Sequence, residues 1–314
     1  MMGTTATTMM MITMGTTTTG MITMVARKRR APALPVVIPL LLLPKPERSV
    51  AHAAPLAVQS PLLQPRPRPL PQPRPLLPPR LPRPPHPVSL PLCKTMYTWT
   101  TACPQTANTY GIECPPMFWG ANMQDQITDA VHNSNASHVM GFNEPDLSSQ
   151  SNLSPQDAAQ LWKDYMLGFK SLGKQLVSPA TTAGGLQWFD DFLTALGGLP
   201  ASQIDVIAVH WYGTDFTDFQ NYVNSWKKYG KNIWVTEMAC QDFSGQGKWC
   251  SMDDIQSLMS QAMAWMESDP QIEKYFWFAP MRDMTNVNPL NCLMTIGGPN
   301  DGQPTSLGWY YVSN

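Results

Sequence analysis

No phenylalanine, tryptophan or tyrosine occurs before Cys93. A stretch without aromatics cannot bury enough apolar surface to offset its conformational entropy. Acids are scarce there as well: residues 1–92 hold 11 Lys/Arg and one carboxylate, Glu47, together with 20 of the 32 prolines. Residues 1–92 therefore read as a low-complexity, Pro-rich, disordered region, and residues 93–314 as the folded domain, which holds all 11 tryptophans and all six cysteines. The folded part carries 21 acidic against 10 basic residues. That sign excludes nucleic acid as a partner, because a phosphate backbone calls for the opposite one. Also absent are a Cys-x-x-Cys pair, a Cys/His metal spacing, a Gly-x-Gly-x-x-Gly turn and a Walker loop. Neither a metal nor a dinucleotide or other cofactor is expected. The longest apolar run, residues 31–44, is too short and too interrupted by prolines to span a bilayer, so no membrane span is expected.

What the first third does contain has an order. Residues 1–24 are almost entirely Met, Thr, Gly and Ile, a biased composition expected to lie outside the mature protein. Arg27-Lys28-Arg29-Arg30, the apolar run and then Ala51-His52-Ala53 follow the charge, apolar core and small-residue order of a secretory signal, giving a signal-like segment over 24–53. From Pro61 to Pro87, proline alternates with Leu and Arg, the composition of a stiff polyproline II spacer. The even cysteine count favours disulfides and a place outside the cytosol. Cys103 with Cys114 and Cys240 with Cys250 would each close a short loop. Two sequons, at Asn135 and Asn152, fit a secreted chain.

After Cys93, short apolar runs alternate with amphipathic stretches, the pattern of a parallel sheet wrapped by helices. Strands are expected at residues 95–99, 116–119, 138–142, 175–178, 204–210, 233–237 and 275–278. Ser154-Pro155-Gln156-Asp157 caps a helix that should stop at Gly173, and Ser251 with Asp254 caps another. Strand centres at Met140, Val177, Val206, Trp234 and Phe276 lie 28 to 42 residues apart. Steps of that size suit repeated βα units and a barrel closure.

The informative residues sit where those strands end. In His138-Val139-Met140-Gly141-Phe142-Asn143-Glu144-Pro145-Asp146 an apolar run stops at Asn-Glu-Pro, and Pro145 closes the pairing because it has no N–H to donate. Asn232-Ile233-Trp234-Val235-Thr236-Glu237 delivers a second glutamate in the same way. Two carboxylates on the ends of two parallel strands are what acid/base and nucleophilic chemistry on a glycosidic bond requires. Trp119, His210-Trp211-Tyr212 and Trp277 lie at further strand ends.

Taken together, Pro116-Met117-Phe118-Trp119-Gly120, Gly141-Phe142-Asn143-Glu144-Pro145-Asp146, His210-Trp211-Tyr212-Gly213 and Trp234-Val235-Thr236-Glu237 resemble glycoside hydrolase family 128. These are fungal endo-β-1,3-glucanases of the alkali-sensitive-linkage type, in the clan of retaining (β/α)8 TIM-type barrels. The resemblance runs from about Cys93 to the C-terminus. It implies Glu144 as general acid/base and Glu237 as nucleophile, so that Glu144 begins protonated and Glu237 ionised. Tyr212 and His210 are the expected hydrogen-bond donors to the ionised carboxylate, and Asn143 the residue that holds the sugar 2-hydroxyl. Trp99, Trp119, Trp211 and Trp277 are candidates to stack on pyranose rings, two of the four being expected to do so. The implied substrate is fungal cell-wall β-1,3-glucan, cut by a monomer that is secreted or wall-associated. One departure stands out. Domains of this family begin with a strand of the form Lys-Arg-Gly-Leu-Ala-Tyr-Asn, and Pro84–Leu92 in its place makes a poor central strand. The first strand is therefore expected to be missing or replaced, the N-terminal third being a misassembled gene product. The competing reading is a catalytically impaired, carbohydrate-binding or wall-attached barrel.

Overall fold

The computed structural model describes residues 93–200, 203–244, 249–284 and 286–314, and the backbone of 23–28. The signal-like segment and the proline tract lie outside the described residues, except for 24–28. Seven strands form one sheet: β1 (Thr23–Lys28), β2 (Cys93–Thr98), β3 (His138–Met140), β4 (Gln175–Val177), β5 (Val206–Gly213), β6 (Asn232–Cys240) and β7 (Ile272–Trp277), in the order β2-β1-β7-β6-β5-β4-β3. From β3 to β7 every pairing is parallel. The first strand alone runs antiparallel, against β2 on one side and β7 on the other. A strand in this position is a correction to the reading of 1–92 as wholly without structure: Arg27 and Lys28, taken there as the charged start of a signal, pair along their backbone with Cys93 and with Tyr275 and Lys274.

Between β2 and β3 the expected strand at 116–119 shrinks to single bridges, Thr95 with Glu113 and Met117 with Met140, both parallel. The backbone bonds Met96 N to Glu113 O and Phe118 N to Met140 O, each 2.9 Å, carry the sheet across this gap. The result is a curled, parallel, barrel-like α/β fold. Helices cover its outside: α1 (Gln105–Thr109), α2 (Gln124–His132), α3 (Pro155–Leu161), α4 (Leu186–Leu196), α5 (Phe216–Trp226), α6 (Met252–Ser268) and α7 (Ser306–Ser313).

The caps are where the sequence puts them. Ser154 accepts from Asp157 N at the start of α3, whose axis continues through a π turn and a 3-10 turn to Gly173 at φ 74°. Ser251 and Asp254 form a reciprocal capping box on α6. Both short disulfides, Cys103–Cys114 and Cys240–Cys250, are formed. Cys292 keeps its thiol, which donates to the carbonyls of Met281 and Met294.

Strand alternation separates two cores. Ile207, Val209, Ile233, Val235, Tyr275 and Trp277 face the helices, in one cluster with the inner faces of α3 to α6. Tyr97, Met117, Met140, Val177, Ala208, Trp234 and Phe276 fill the inside of the curl. Below them sits a charged layer. Lys274, 3% exposed, has its Nζ 2.8 Å from Glu113 Oε2 and 4.0 Å above the Trp234 ring, while His138 Nδ1 lies 2.6 Å from Glu113 Oε1. Desolvation works to raise the Glu113 carboxyl, but the bond from His138 and the charge of Lys274 outweigh it and hold the group far below the usual carboxylate range.

Candidate active site

Above that filled interior, at the carboxyl ends of the strands, the two glutamates meet. Glu144 leaves β3 through Gly141, where any Cβ would stand 2.7 Å from the Trp162 ring and 2.8 Å from Pro179 N. Only glycine permits that approach. Glu144 itself adopts φ 41°, a left-handed conformation that an ordinary residue holds only when its surroundings force it. Two anchors do so: Glu144 N donates to Ala180 O at 2.7 Å, and the Asp146 carboxylate accepts from Thr182 N and Thr182 Oγ1 at 3.0 and 2.5 Å.

Glu237 reaches the cleft by a different device. On β6, Trp234 points inward and Val235 outward, so strict alternation would send Glu237 outward. The register against β5 jumps instead, from Val209 opposite Val235 to His210 opposite Glu237, leaving Thr236 as the extra residue of a bulge. The bulge reverses the alternation and turns Glu237 in. Tyr97 O–H, donating to Thr236 O at 2.8 Å from inside the curl, pins it.

Around the pair the hydrogen bonds converge. Tyr212 O–H donates to Glu237 Oε2 at 2.7 Å and Trp99 Nε1–H to Oε1 at 2.8 Å. His210 Nδ1 stands 3.1 Å from Glu144 Oε1 and 3.5 Å from Glu237 Oε2. Donor atoms of Glu144, His210 and Glu237 all lie within 4.8 Å of one another. Two carboxylates and an imidazole at that separation also have the composition of a divalent-cation site.

Burial and charge set the protonation states. Loss of water raises the Glu237 carboxyl above its ordinary value; the charge of His210 opposes the rise, that of Glu144 adds to it, and the Tyr212 and Trp99 bonds pull back down. The donors do not dominate, because the carboxylate is only 5% exposed. Burial works to lower His210, but the negative field of Glu237, Glu144 and Asp146 wins and raises it. Its imidazolium form is favoured between the two acids.

The other expected site residues divide. Asn143 is buried beside Glu144; its Nδ2 donates to Gln150 Oε1 at 3.3 Å, and its Oδ1 has no hydrogen-bond partner among the described residues. Trp99 and Trp119 are partly exposed and pack on the inner cluster at the cleft. Trp211 and Trp277 do not reach it, which corrects their assignment as sugar-stacking residues. Trp211 packs its ring 5.1 Å from Phe219 on the helix side, and both indoles lie in the outer core, 5% and 1% exposed. Their neighbours His210, Tyr212, Phe276 and Phe278 face inward, and period-2 alternation could have excluded both tryptophans from sequence alone. Sequence reasoning missed Tyr97, Gln150 and the donor role of Trp99, none of which carries a motif signal, and gave no role to Asp146, although it lies in the Asn-Glu-Pro-Asp block.

Known proteins share this fold. The model of the glycosyl hydrolase catalytic core family matches residues 92–311. Alkali-sensitive linkage protein 1 of Schizosaccharomyces pombe is 35% identical over 179 residues, 56% of this chain. The match spans about a third, 32%, of that protein's length. Among solved structures, a subgroup VI exo-β-1,3-glucanase of glycoside hydrolase family 128 from Aureobasidium namibiae superposes with a TM-score of 0.60 at 28% identity, covering 69% of this chain and 84% of that one. A subgroup I endo-β-1,3-glucanase of the same family from Amycolatopsis mediterranei, in complex with laminaripentaose, gives a TM-score of 0.54 at 29% identity over 69% of this chain and 89% of that one. With the core model spanning most of the chain and family 128 structures matching its fold, the chain belongs to the glycosyl hydrolase catalytic core family and, within it, to glycoside hydrolase family 128.

Proposed function

We propose that the chain is a retaining glycoside hydrolase that cuts β-1,3-glucan by double displacement, with Glu237 as nucleophile and Glu144 as acid/base. The observation that carries this reading is the separation of the two carboxylates, within 4.8 Å across His210. Retaining enzymes hold their carboxyls roughly 5–5.5 Å apart and inverting ones roughly 6.5–9.5 Å, to leave room for a water. A gap this small suits direct attack.

In the first step Glu237 bonds to the anomeric carbon. The glycosidic C–O bond breaks, its electron pair goes to the leaving oxygen, and Glu144 supplies the proton. In the second step Glu144 takes a proton from water, the water oxygen bonds to the anomeric carbon, and the Glu237 ester bond breaks. Trp99 and Tyr212 hold Glu237 on line for attack, and His210 balances the negative charge that moves between the two acids. Asn143, next to Glu144, is assigned to the sugar 2-hydroxyl, and Trp99 and Trp119 border the sugar. The substrate assignment draws on the β-1,3-glucanase activity of the family 128 neighbours. Two short disulfides support a place outside the cytosol, secreted or in the wall. We further assign the fold to the eight-stranded barrel, with 23–28 in the first position and the bridged segment 113–118 in the third; the parallel bridges on either side of that segment support the count.

Reducing-end release from linear β-1,3-glucan tests the reading. Glu144→Gln and Glu237→Gln should each lower kcat by roughly 10²–10⁴-fold or more. Turnover by both variants at the parent rate would end the assignment.

A further inference from the structure

Five aromatic rings run in sequence along the Glu237 side of the cleft. Tyr97 meets Trp99 at 5.4 Å, Trp99 meets Phe278 at 5.8 Å, Phe278 meets Tyr212 at 5.7 Å, and Tyr212 meets Phe243 at 5.2 Å, all edge to face. The row begins in the barrel interior, passes the two groups that donate to Glu237, and ends in solvent: Phe243 is 55% exposed. A phenylalanine left this open contributes little to the core. Its position, one ring beyond the hydroxyl that holds the nucleophile, suggests that something else covers it.

The loop bearing Phe243 is fixed at both ends, which a solvent loop does not require. Cys240 and Cys250 are bridged. Two buried asparagines clamp the same two residues: Asn291 accepts from Cys240 N at 3.1 Å and donates to Cys240 O at 3.0 Å, and Asn288 Nδ2 donates to Cys250 O at 2.8 Å. Asn288 N also donates to Gln241 Oε1 at 2.7 Å, two residues before Phe243. These bonds hold the base of the ring in advance of any ligand, so less freedom is lost on binding.

We propose that Phe243 is a stacking platform for a glucose unit of the substrate chain, one sugar out from the unit at Glu237. The occupant is a neutral β-linked glucan, whose pyranose rings present apolar C–H faces to an aromatic and hydroxyls to water. The proposal rests on reading the cleft as glucan-binding, and binding is measured separately from cleavage so that the two can fail independently. Laminarihexaose is titrated calorimetrically into the full chain carrying Glu144→Gln, with and without Phe243→Ala, Phe243→Tyr or Phe243→Trp. Phe243→Ala should bind about tenfold more weakly at an unchanged melting temperature, with Tyr or Trp restoring the affinity, since an aromatic contact of this kind contributes on the order of one power of ten. In the otherwise intact chain, Phe243→Ala should raise KM for β-1,3-glucan by a similar factor and leave kcat within about twofold. Binding without hydrolysis by the parent would sink the catalytic reading and leave the Phe243 comparison decisive. Equal affinity of Phe243→Ala and parent, failure of Tyr and Trp to restore it, or no laminarihexaose binding by the parent would each overturn the platform.

Discussion

At the scale of single residues, the site turns on how many protons surround Glu237. Trp99 and Tyr212 each donate to one of its oxygens, and a donor to the ionised form lowers the pKa of the acid. Burial raises that pKa in the first place, so the donors restrain a rise. Trp99→Phe keeps the aromatic bulk and removes one donor, which should raise the Glu237 pKa further. In the proposed mechanism attack needs the carboxylate, so activity is lost as pH falls through this value, and the acid limb of kcat/KM should move to higher pH. A limb unchanged in position would show that the indole does not act on the nucleophile. Both glutamates were legible in the sequence, since an apolar run ending in an acid is a pattern; the donor at Trp99 was not. Alternation turns Trp277 into the outer core, but it cannot tell whether an inward indole such as Trp99 stacks on a sugar or aims its N–H at a carboxylate 138 positions away.

At the scale of elements, one inserted residue decides whether β6 presents Glu237, the proposed nucleophile, to the cleft. The bulge at Thr236 turns Glu237 into the cleft, and no periodicity in Ile233-Trp234-Val235-Thr236-Glu237 announces it, because the register is set by pairing with β5. Tyr97 supplies the hydrogen bond that holds the bulge from inside. Tyr97→Phe should lower kcat by about tenfold with KM nearly unchanged, while the cost in stability stays at about 1–3 kcal/mol for the carbonyl left unsatisfied. Steady-state kinetics beside a urea melt separate the two; a kcat equal to the parent's would show that the bulge holds its shape unaided. The strands and helix caps were readable because Ser154, Ser251 and Gly173 act through local backbone geometry. The charged layer beneath the site was not, as Glu113, His138 and Lys274 come from three segments that only the fold assembles. Its consequence is a pH-dependent stability. The Glu113 pKa is depressed on folding, so its contribution is fully present above the unfolded value of about 4.3 and disappears as pH falls toward the folded one. Glu113→Gln leaves Lys274 buried beside a neutral group and should cost about 3–5 kcal/mol at pH 7, a difference that narrows on acidification. Melts at pH 7 and pH 3 with the same gap between variant and parent would contradict this.

At the scale of the whole molecule, the question is how a barrel-like parallel sheet tolerates an antiparallel strand at its seam. Parallel neighbours need a crossover between them, and each of β3 to β7 is reached across such a connection. The segment 23–28 enters the sheet from outside that series, so no βα crossover dictates its direction, and either orientation can satisfy the two facing edges. Compositional bias hid it: six residues that straddle the end of a Met/Thr tract and the start of a basic cluster show no pattern that separates a strand from a signal. Physically, its place is well defined, because without it the backbone groups of β2 and β7 would face each other as open edges, exposed to pairing with other chains. Val25 lies opposite Met96 in the ladder to β2, and its neighbour Ala26 opposite Phe276 in the ladder to β7. A proline at position 25 removes an N–H and distorts the strand, whereas a threonine there keeps both the backbone and the β-branched shape. Val25→Pro should therefore lower stability by about 3 kcal/mol and promote concentration-dependent association, with Val25→Thr close to the parent. Urea melts and light scattering across a dilution series read the two effects. If Val25→Pro unfolds at the parent's midpoint and stays dispersed, the strand contributes nothing to the fold, and the seam between β2 and β7 must be closed by other means.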